Sequence, residues 1–352
     1  MSLKKSKFIL SLVVLIALLS TLVGGCGSSK VTTDATPKTT EVKKPVIALS
    51  NSYYGNIWRK QMVEEFEKVA KQAKADGLIA DYIVLNGDGT QNQQMTQLND
   101  LILKKVDVIC IDAASPVALN GVISKAVKEG IKVVSFDSVV TEPGAYKFNF
   151  DFKKQGSNAA QYVADRLNGK GNVIIVRGVA GSAPDADMYE GNMSVLNKYP
   201  DIKIVGTVFG QATTAITQSQ ISGILPSLPK VDAVICQGGG DDFGVVQAFE
   251  ATKSPMPIIT GGGGAEFTHW WIDQNKKNGY ETYSENSGPS IGGAVFWVAL
   301  NIMNGMKAPN EMIAPNVIIT KDNLKNYESM KPNTIASANV DRDWVTKNIF
   351  KK

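Results

Sequence analysis

The sequence predicts an α/β protein built as two similar halves, each a parallel sheet covered by helices on both faces. Three observations predict it. From residue 45 onward, short apolar runs alternate with amphipathic stretches, the pattern of strands joined by covering helices. Residues 45–352 exceed what one hydrophobic core usually supports, which favours two domains. An internal echo, "KVDVICIDAAS" at 105–115 and "KVDAVICQGGG" at 230–240, repeats a lysine, an aspartate and a run ending at Cys plus a polar residue.

In chain order, strands are expected at 45–50, 81–86, 107–112 and 132–136, then at 172–177, 202–208, 232–237 and 257–260. The helices between them show apolar faces. Met62, Val63, Phe66, Val69, Ala70 and Ala73 share one face, as do Met95, Leu98, Leu101 and Ile102, and then Leu119, Val122, Ile123, Ala126 and Val127. Both echo segments stand third in their series of strand and helix units. Cys110 and Cys236 fall inside apolar strand runs in different halves, where each is expected as a small buried hydrophobe and not as half of a disulfide.

Ligands of open parallel sheets bind beyond the carboxyl ends of the strands. Those ends read "SNSYYGNIW" after Leu49, "DAAS" after Ile111, "DSVV" after Phe136, "GVAGSAPDADMYEG" after Arg177, "FGQ" after Val208, "QGGGDDFG" after Cys236 and "GGGGAEF" after Thr260. Loops are polar and Gly-rich by default, yet seven such ends at one edge argue for a binding cleft.

The segment before the fold sets the compartment. Residues 1–25 carry a basic start (Lys4, Lys5, Lys7), an apolar core from Phe8 to Leu19 and the small-residue end "LVGGC", the layout of a secretory signal. The apolar core is shorter than a membrane-spanning helix needs. "LVGGC" resembles a bacterial lipoprotein signal, which implies lipidation of Cys26 and an exported protein anchored to the cell membrane, facing away from the cytoplasm. Residues 27–44, "GSSKVTTDATPKTTEVKK", have almost no large apolar side chains and read as a tether, with an average reach of about 25 Å for a flexible coil. Lys and Arg number 37 against 33 Asp and Glu, and loss of the three signal lysines leaves about +1, which argues against a nucleic-acid partner.

The series "PVIALSNSYYGNIW", "VDVICIDAASP", "KVVSFDS", "VIIVRGVAGS" and "VDAVICQGGG" resembles the periplasmic sugar-binding proteins of ABC importers, in the ribose-binding group, over roughly residues 45–320. That resemblance implies a type I clamshell. Two Rossmann-like lobes would be joined by three hinge crossings near 148–152, 285–288 and 316–319, with a ligand closed between them. Lobe 1 would hold 45–149 plus 287–317 and lobe 2 would hold 150–286 plus 318–352. Asn56 and Trp58 match the family's polar residue and the aromatic that lies on the sugar ring, with Ser52 and Arg59 beside them. An aromatic face suits the apolar side of a sugar, and fixed polar groups suit its hydroxyls. Asp112 matches an amide position, Asp137 an acid that takes two hydroxyls, and Asn286 the hinge amide. Asp187, Phe209 and Gly239 complete the candidates from the second half.

Departures from the ribose pattern bear on the ligand. Ser138 stands where an arginine is common, the second-half loop offers Asp185, Asp187 and Met188 in place of arginine, and a strand that commonly ends in Asp-Gly ends in "GGGG" at 261–264. Ribose is therefore not supported, and a neutral or cationic solute bulkier than a pentose is expected, with Trp270 or Phe209 on one side. No cofactor is expected. The one histidine, His269, has no second His or Cys cluster for a metal. "GVAGS" lacks a phosphate-loop lysine, Phe243 occupies the third-glycine position of a dinucleotide fingerprint, and there is no nucleophile elbow. The expected function is capture of a small sugar or polyol for an ABC permease and its ATPase, with no catalysis. Alternatives are an amine or zwitterion drawn by Asp112, Asp137, Asp185, Asp187, Asp241 and Asp242, or a lipoprotein that presents its ligand to a sensor kinase or chemoreceptor. A sugar-responsive repressor with the same body would start with a helix-turn-helix, where this chain has an export signal.

Overall fold

The computed structural model describes residues 43–350. The signal segment, Cys26 and nearly all of the tether lie outside the described residues. The first sheet contains β1 (Val46–Asn51), β2 (Asp81–Asn86), β3 (Val108–Asp112), β4 (Lys132–Phe136), β5 (Tyr146–Asn149) and β11 (Glu311–Ile313), in the order β11-β5-β4-β3-β1-β2 with every pairing parallel. The second contains β6 (Lys170–Arg177), β7 (Asp201–Phe209), β8 (Ala233–Cys236) and β9 (Ile258–Thr260), in the order β7-β6-β8-β9, again parallel. Every residue of β3 and β8 is buried, as central strands covered on both faces must be. Cys110 and Cys236 sit in these two strands as free, buried thiols.

Helices α1 (Ile57–Ala75), α2 (Gln91–Leu103) and α3 (Asn120–Lys128) cover the first sheet together with α9 (Ile291–Met303). The apolar face of α1 packs on α9, with Phe66 edge-on to Phe296 at 5.6 Å. In α2 the expected face is rotated by one position: Met95 is exposed, and Gln94 is buried in its place. Gln94 is buried with its hydrogen bonds made: it donates to the Asp112 carbonyl at 2.9 Å and to the Ser50 carbonyl at 3.3 Å and accepts from the Ala114 N–H at 2.7 Å, so it ties the ends of β1 and β3 together. The second sheet is covered by α4 (Phe152–Arg166), α5 (Ala183–Leu196), α6 (Thr214–Ile224), α7 (Asp241–Thr252) and α8 (Ala265–Asn278).

The chain passes between the two sheets at 150–151, between β5 and α4. It passes again after β10 (Ser284–Asn286), which leads into α9, and at 314–316, between β11 and β12 (Val317–Ile319). β10 and β12 pair antiparallel as a two-stranded hinge ribbon. Glu285 is buried there and accepts from Asn158 at 3.0 Å and Asn316 at 2.8 Å, with the Tyr283 hydroxyl as a third donor. The tail departs from the expected division, which placed all of 318–352 in the second lobe. Residues 334–336 run along Gly263–Ala265, and then α10 (Arg342–Asn348) packs on α9 of the first lobe, with the Arg342 guanidinium 5.0 Å from the Trp297 ring centre. The reason is burial: Val340, Val345 and Phe350 join the core built around α1 and α9.

Candidate functional site

The loop from β1 to α1 places three side chains on one wall of the cleft between the sheets. Asn56 caps α1 by accepting the Arg59 N–H at 2.8 Å, which leaves its amide nitrogen to offer to the cleft. Trp58 is held by its indole N–H, which donates to the Ser287 carbonyl in the hinge at 2.7 Å. Arg59 is buried and donates to Asn51 Oδ1 at 3.3 Å, touches the Asp112 carboxylate directly, and stands 3.7 Å from Asp137 Oδ2. Burial pulls the Arg59 guanidinium below its ordinary value, and the Asp137 charge partly restores it. Asp137 follows β4 with φ of 54°, in the left-handed region. Burial pushes its carboxyl up to about 6, against the downward pull of Arg59.

The opposite wall comes from the ends of β6 and β8. Arg177 grips Asp185 through two bonds of 2.9 and 2.7 Å, and its guanidinium lies between the rings of Tyr189 and Phe209, 4.3 and 4.8 Å from their centres. Burial raises the Asp185 carboxyl, and Arg177 opposes that shift. Gln237 accepts the Gly178 N–H at 2.8 Å and donates to the Asp185 carbonyl at 3.2 Å, which ties the two strand ends together. Beyond Gln237 the wall is backbone. A Cβ at Gly262 would lie 2.4 Å from the Gly238 carbonyl carbon and 2.5 Å from the Gly239 nitrogen, so the two loops touch without side chains. Asp242 braces this contact from behind, accepting from the N–H groups of Gly240, Phe243 and Gly262 at 3.2, 2.7 and 2.8 Å. Asp241 accepts from the Thr217 hydroxyl at 2.8 Å and the Gly238 N–H at 3.1 Å. Burial drives these two carboxyls up to about 8 for Asp241 and about 6 for Asp242. Both side chains are fully buried and bonded inward, so neither draws a ligand amine from the cleft.

The hinge closes the back of the space. Asn286 donates to the Ala336 carbonyl at 2.7 Å, and its Oδ1 is buried with no hydrogen-bond partner. The resulting cavity, about 590 Å³ with its open mouth, has Asn56, Trp58, Arg59, Asp137, Gly239 and Asn286 in its lining. Chemically it presents an aromatic ring, carboxylates and fixed amides.

Five residues singled out from the sequence lie elsewhere. Ser52 lines an adjoining outer space. Asp112 is buried beneath Arg59, where its carboxylate meets that guanidinium and the Ser138 N–H at 3.4 Å. Asp187 faces a separate groove with Lys147 and Ile313. The Phe209 ring stacks on Arg177, and Trp270 stacks on Phe267 and donates to Glu250, so neither forms the cavity wall. Sequence reasoning passed over Phe152, Ser182 and Gln237, which line the cavity, and named Asp185 and Met188, which also line it, only as departures at the arginine positions, with Asp185 also an attractor of amines. Gln237 opens the quoted "QGGG" loop and Phe152 follows the first crossing, so position relative to strand ends and crossings was the available signal.

Residues 47–307 match the periplasmic binding protein domain family. The xylitol-binding protein of Mycolicibacterium smegmatis is 26% identical over 75% of this chain and 74% of its own length. The solved structure of an ABC transporter solute-binding protein from Thermobispora bispora is 40% identical, with a TM-score of 0.81 over 86% of this chain and 94% of that one. An ABC transporter periplasmic solute-binding protein from Actinobacillus succinogenes, solved with bound D-allose, shares the fold at 24% identity and a TM-score of 0.69, over 81% of this chain and all of that one.

Proposed function

The chain belongs to the periplasmic binding protein family, as a solute-binding protein of ABC transporters, and from that premise we propose that it captures a neutral sugar or polyol between its lobes. The observation that carries this reading is the charge balance of the cavity lining. Arg59 is the one basic side chain among the described residues that line it, and it is already matched by Asp112 and Asp137. An anionic ligand would meet no free cation there and would face Asp137, while Asp185 is neutralised by Arg177. Hydroxyl groups suit the site, because Asp137 accepts, Asn56 donates, and Trp58 provides a flat apolar surface. Relatives named for xylitol and solved with D-allose agree in ligand class.

Site roles are assigned to Asn56, Trp58, Arg59, Asp137, Asp185, Gln237 and Asn286. Arg59 acts by holding Asp137 in place as well as by lining the wall. The loaded protein delivers its solute to an ABC permease and its ATPase, and the lobes close on the ligand about the β10–β12 ribbon. The "LVGGC" signal supports export with a lipid on Cys26, and the tether holds the binding body off the membrane. A thermal-shift panel of neutral sugars and polyols, sugar phosphates, uronic acids, amines and amino acids tests the reading. Ligand at a hundred times its Kd adds about 2.7 kcal/mol, a shift of several degrees. The largest shift is expected from a neutral hexose, polyol or glycoside. A sugar acid or phosphate as best ligand overturns the charge reasoning, and an amine as best ligand replaces the solute class.

A further inference from the structure

Outside the inner cavity the cleft does not end. A second space of about 840 Å³ with its open mouth adjoins it, and Arg59, Val179 and Ser182 line both. Its first-lobe side is Ser52, Tyr53, the Asp88–Thr90 turn, Ala113 and Ala114, and its second-lobe side adds Ala180, Gln211 and Ile216. Four of the residues that line it are small: Gly89, Ala113, Ala114 and Ala180. Among the described residues no hydrogen bond joins the two sides of this space, whereas the hinge side of the cleft is stitched by Trp58 to Ser287 and by Gln61 to Ile335.

We propose that the site takes a ligand longer than one ring: a two-unit glycoside or disaccharide with one unit in the inner cavity and the second in this outer subsite. This rests on the sugar reading of the inner cavity. The outer chemistry suits a second polyhydroxylated unit. Tyr53 supplies an aromatic surface with a polar tip, Asp88 an exposed carboxylate, and Ser52, Thr90 and Gln211 supply hydroxyl and amide groups. The turn that carries Asp88 is preformed. Asp88 accepts the Thr90 N–H at 2.8 Å, and the Gly89 N–H donates to the Ser52 carbonyl at 2.8 Å, so this wall is set before a ligand arrives. Gln211 and Ala212 hold the facing turn, both with positive φ, 56° and 51°.

The test is calorimetric titration of the full chain with single rings (D-xylose, D-glucose, D-galactose, D-allose) and two-ring sugars (xylobiose, cellobiose, maltose, melibiose), repeated on Ala180→Trp and Tyr53→Ala. Ala180 is exposed, so its replacement fills the outer space without disturbing a core. A two-ring sugar should bind at least tenfold more tightly than the best single ring. Ala180→Trp should remove that advantage while single-ring affinity stays within threefold, and Tyr53→Ala should weaken the two-ring ligand at least fivefold. Tight binding of a single ring, with two-ring sugars weaker and unaffected by Ala180→Trp, refutes the outer subsite and leaves the sugar reading standing. No heat from either class refutes the sugar reading and the subsite with it.

Discussion

Replacing Arg59 with methionine removes the cation from a buried group of three charges while keeping most of the side-chain length. Arg59, Asp112 and Asp137 are each at most 5% exposed, so solvent screens them little. Taking one partner from a buried ion pair leaves an uncompensated charge and costs about 3–5 kcal/mol. At about 2.1 cal/mol/K per residue, a folded unit of roughly 308 residues unfolds with an entropy near ~0.65 kcal/mol/K. The expected loss in Tm of the ligand-free protein is therefore about 5–8 °C at pH 8. The pH dependence separates this cause from simple loss of packing. The Asp137 carboxyl titrates near 6 in the fold against about 3.9 in an open chain. The folded state thus holds the extra proton between those values, and this group's contribution to stability falls as pH rises through the window. Without Arg59 the folded value climbs further, so the variant's disadvantage is largest at pH 8 and shrinks at pH 5, where Asp137 is already mostly neutral. Differential scanning calorimetry of both proteins at pH 5 and pH 8 reads this directly. A Tm loss below 2 °C at pH 8, or equal losses at both values, would show that the three groups do not act as a buried charge network.

Trp58→Ala removes the ring from the cavity and the hydrogen bond to the hinge, and calorimetric affinity for the best neutral sugar should fall at least tenfold, about 1.4 kcal/mol; a change within threefold would take Trp58 out of the site. Gly262→Ala forces a Cβ into the Gly238–Gly239 backbone, with an overpacking cost of about 1–3 kcal/mol, so a lower melting temperature and weakened sugar binding are expected, and retention of both would mean the two loops are free to part. Cys26→Ser should move the protein from the membrane fraction to the soluble exported fraction, since a single lipidated Cys would be its hold on the bilayer; retention in the membrane fraction would end the anchor proposal.

The central parallel strands and their helices were legible because the helices carry a period and the strands a short apolar run bounded by polar or glycine residues. The four strands passed over, β5, β10, β11 and β12, have three or four residues each and lie at crossings or sheet edges, where half-burial leaves no pattern. The tail was illegible for a different reason: its attachment to α9 rests on a few scattered apolar residues, Val340, Val345 and Phe350, whose partner surface is distant in sequence. At the site, strand ends pointed to the right loops but not to which side chain turns inward. Asp112 ends β3 and Asp137 follows β4, both central strands, yet Asp112 is directed beneath Arg59 and Asp137, held in a left-handed conformation, faces the cavity. Phe209 looked like a wall residue because it ends β7, but the Arg177 guanidinium occupies its face. Neither the pairing of Arg177 with Asp185 nor the bracing of the glycine loops by Asp242 leaves a trace in local spacing.

The most direct measurement is calorimetric titration of the wild type with a matched pair: the neutral sugar that stabilises the protein most and the uronic acid of the same ring. With Arg59 already paired and Asp137 in the cavity lining, the neutral sugar should bind at least tenfold more tightly than its acid at pH 8. Equal or tighter binding of the acid, or no heat from either, would contradict a cleft built for neutral polyhydroxylated solutes.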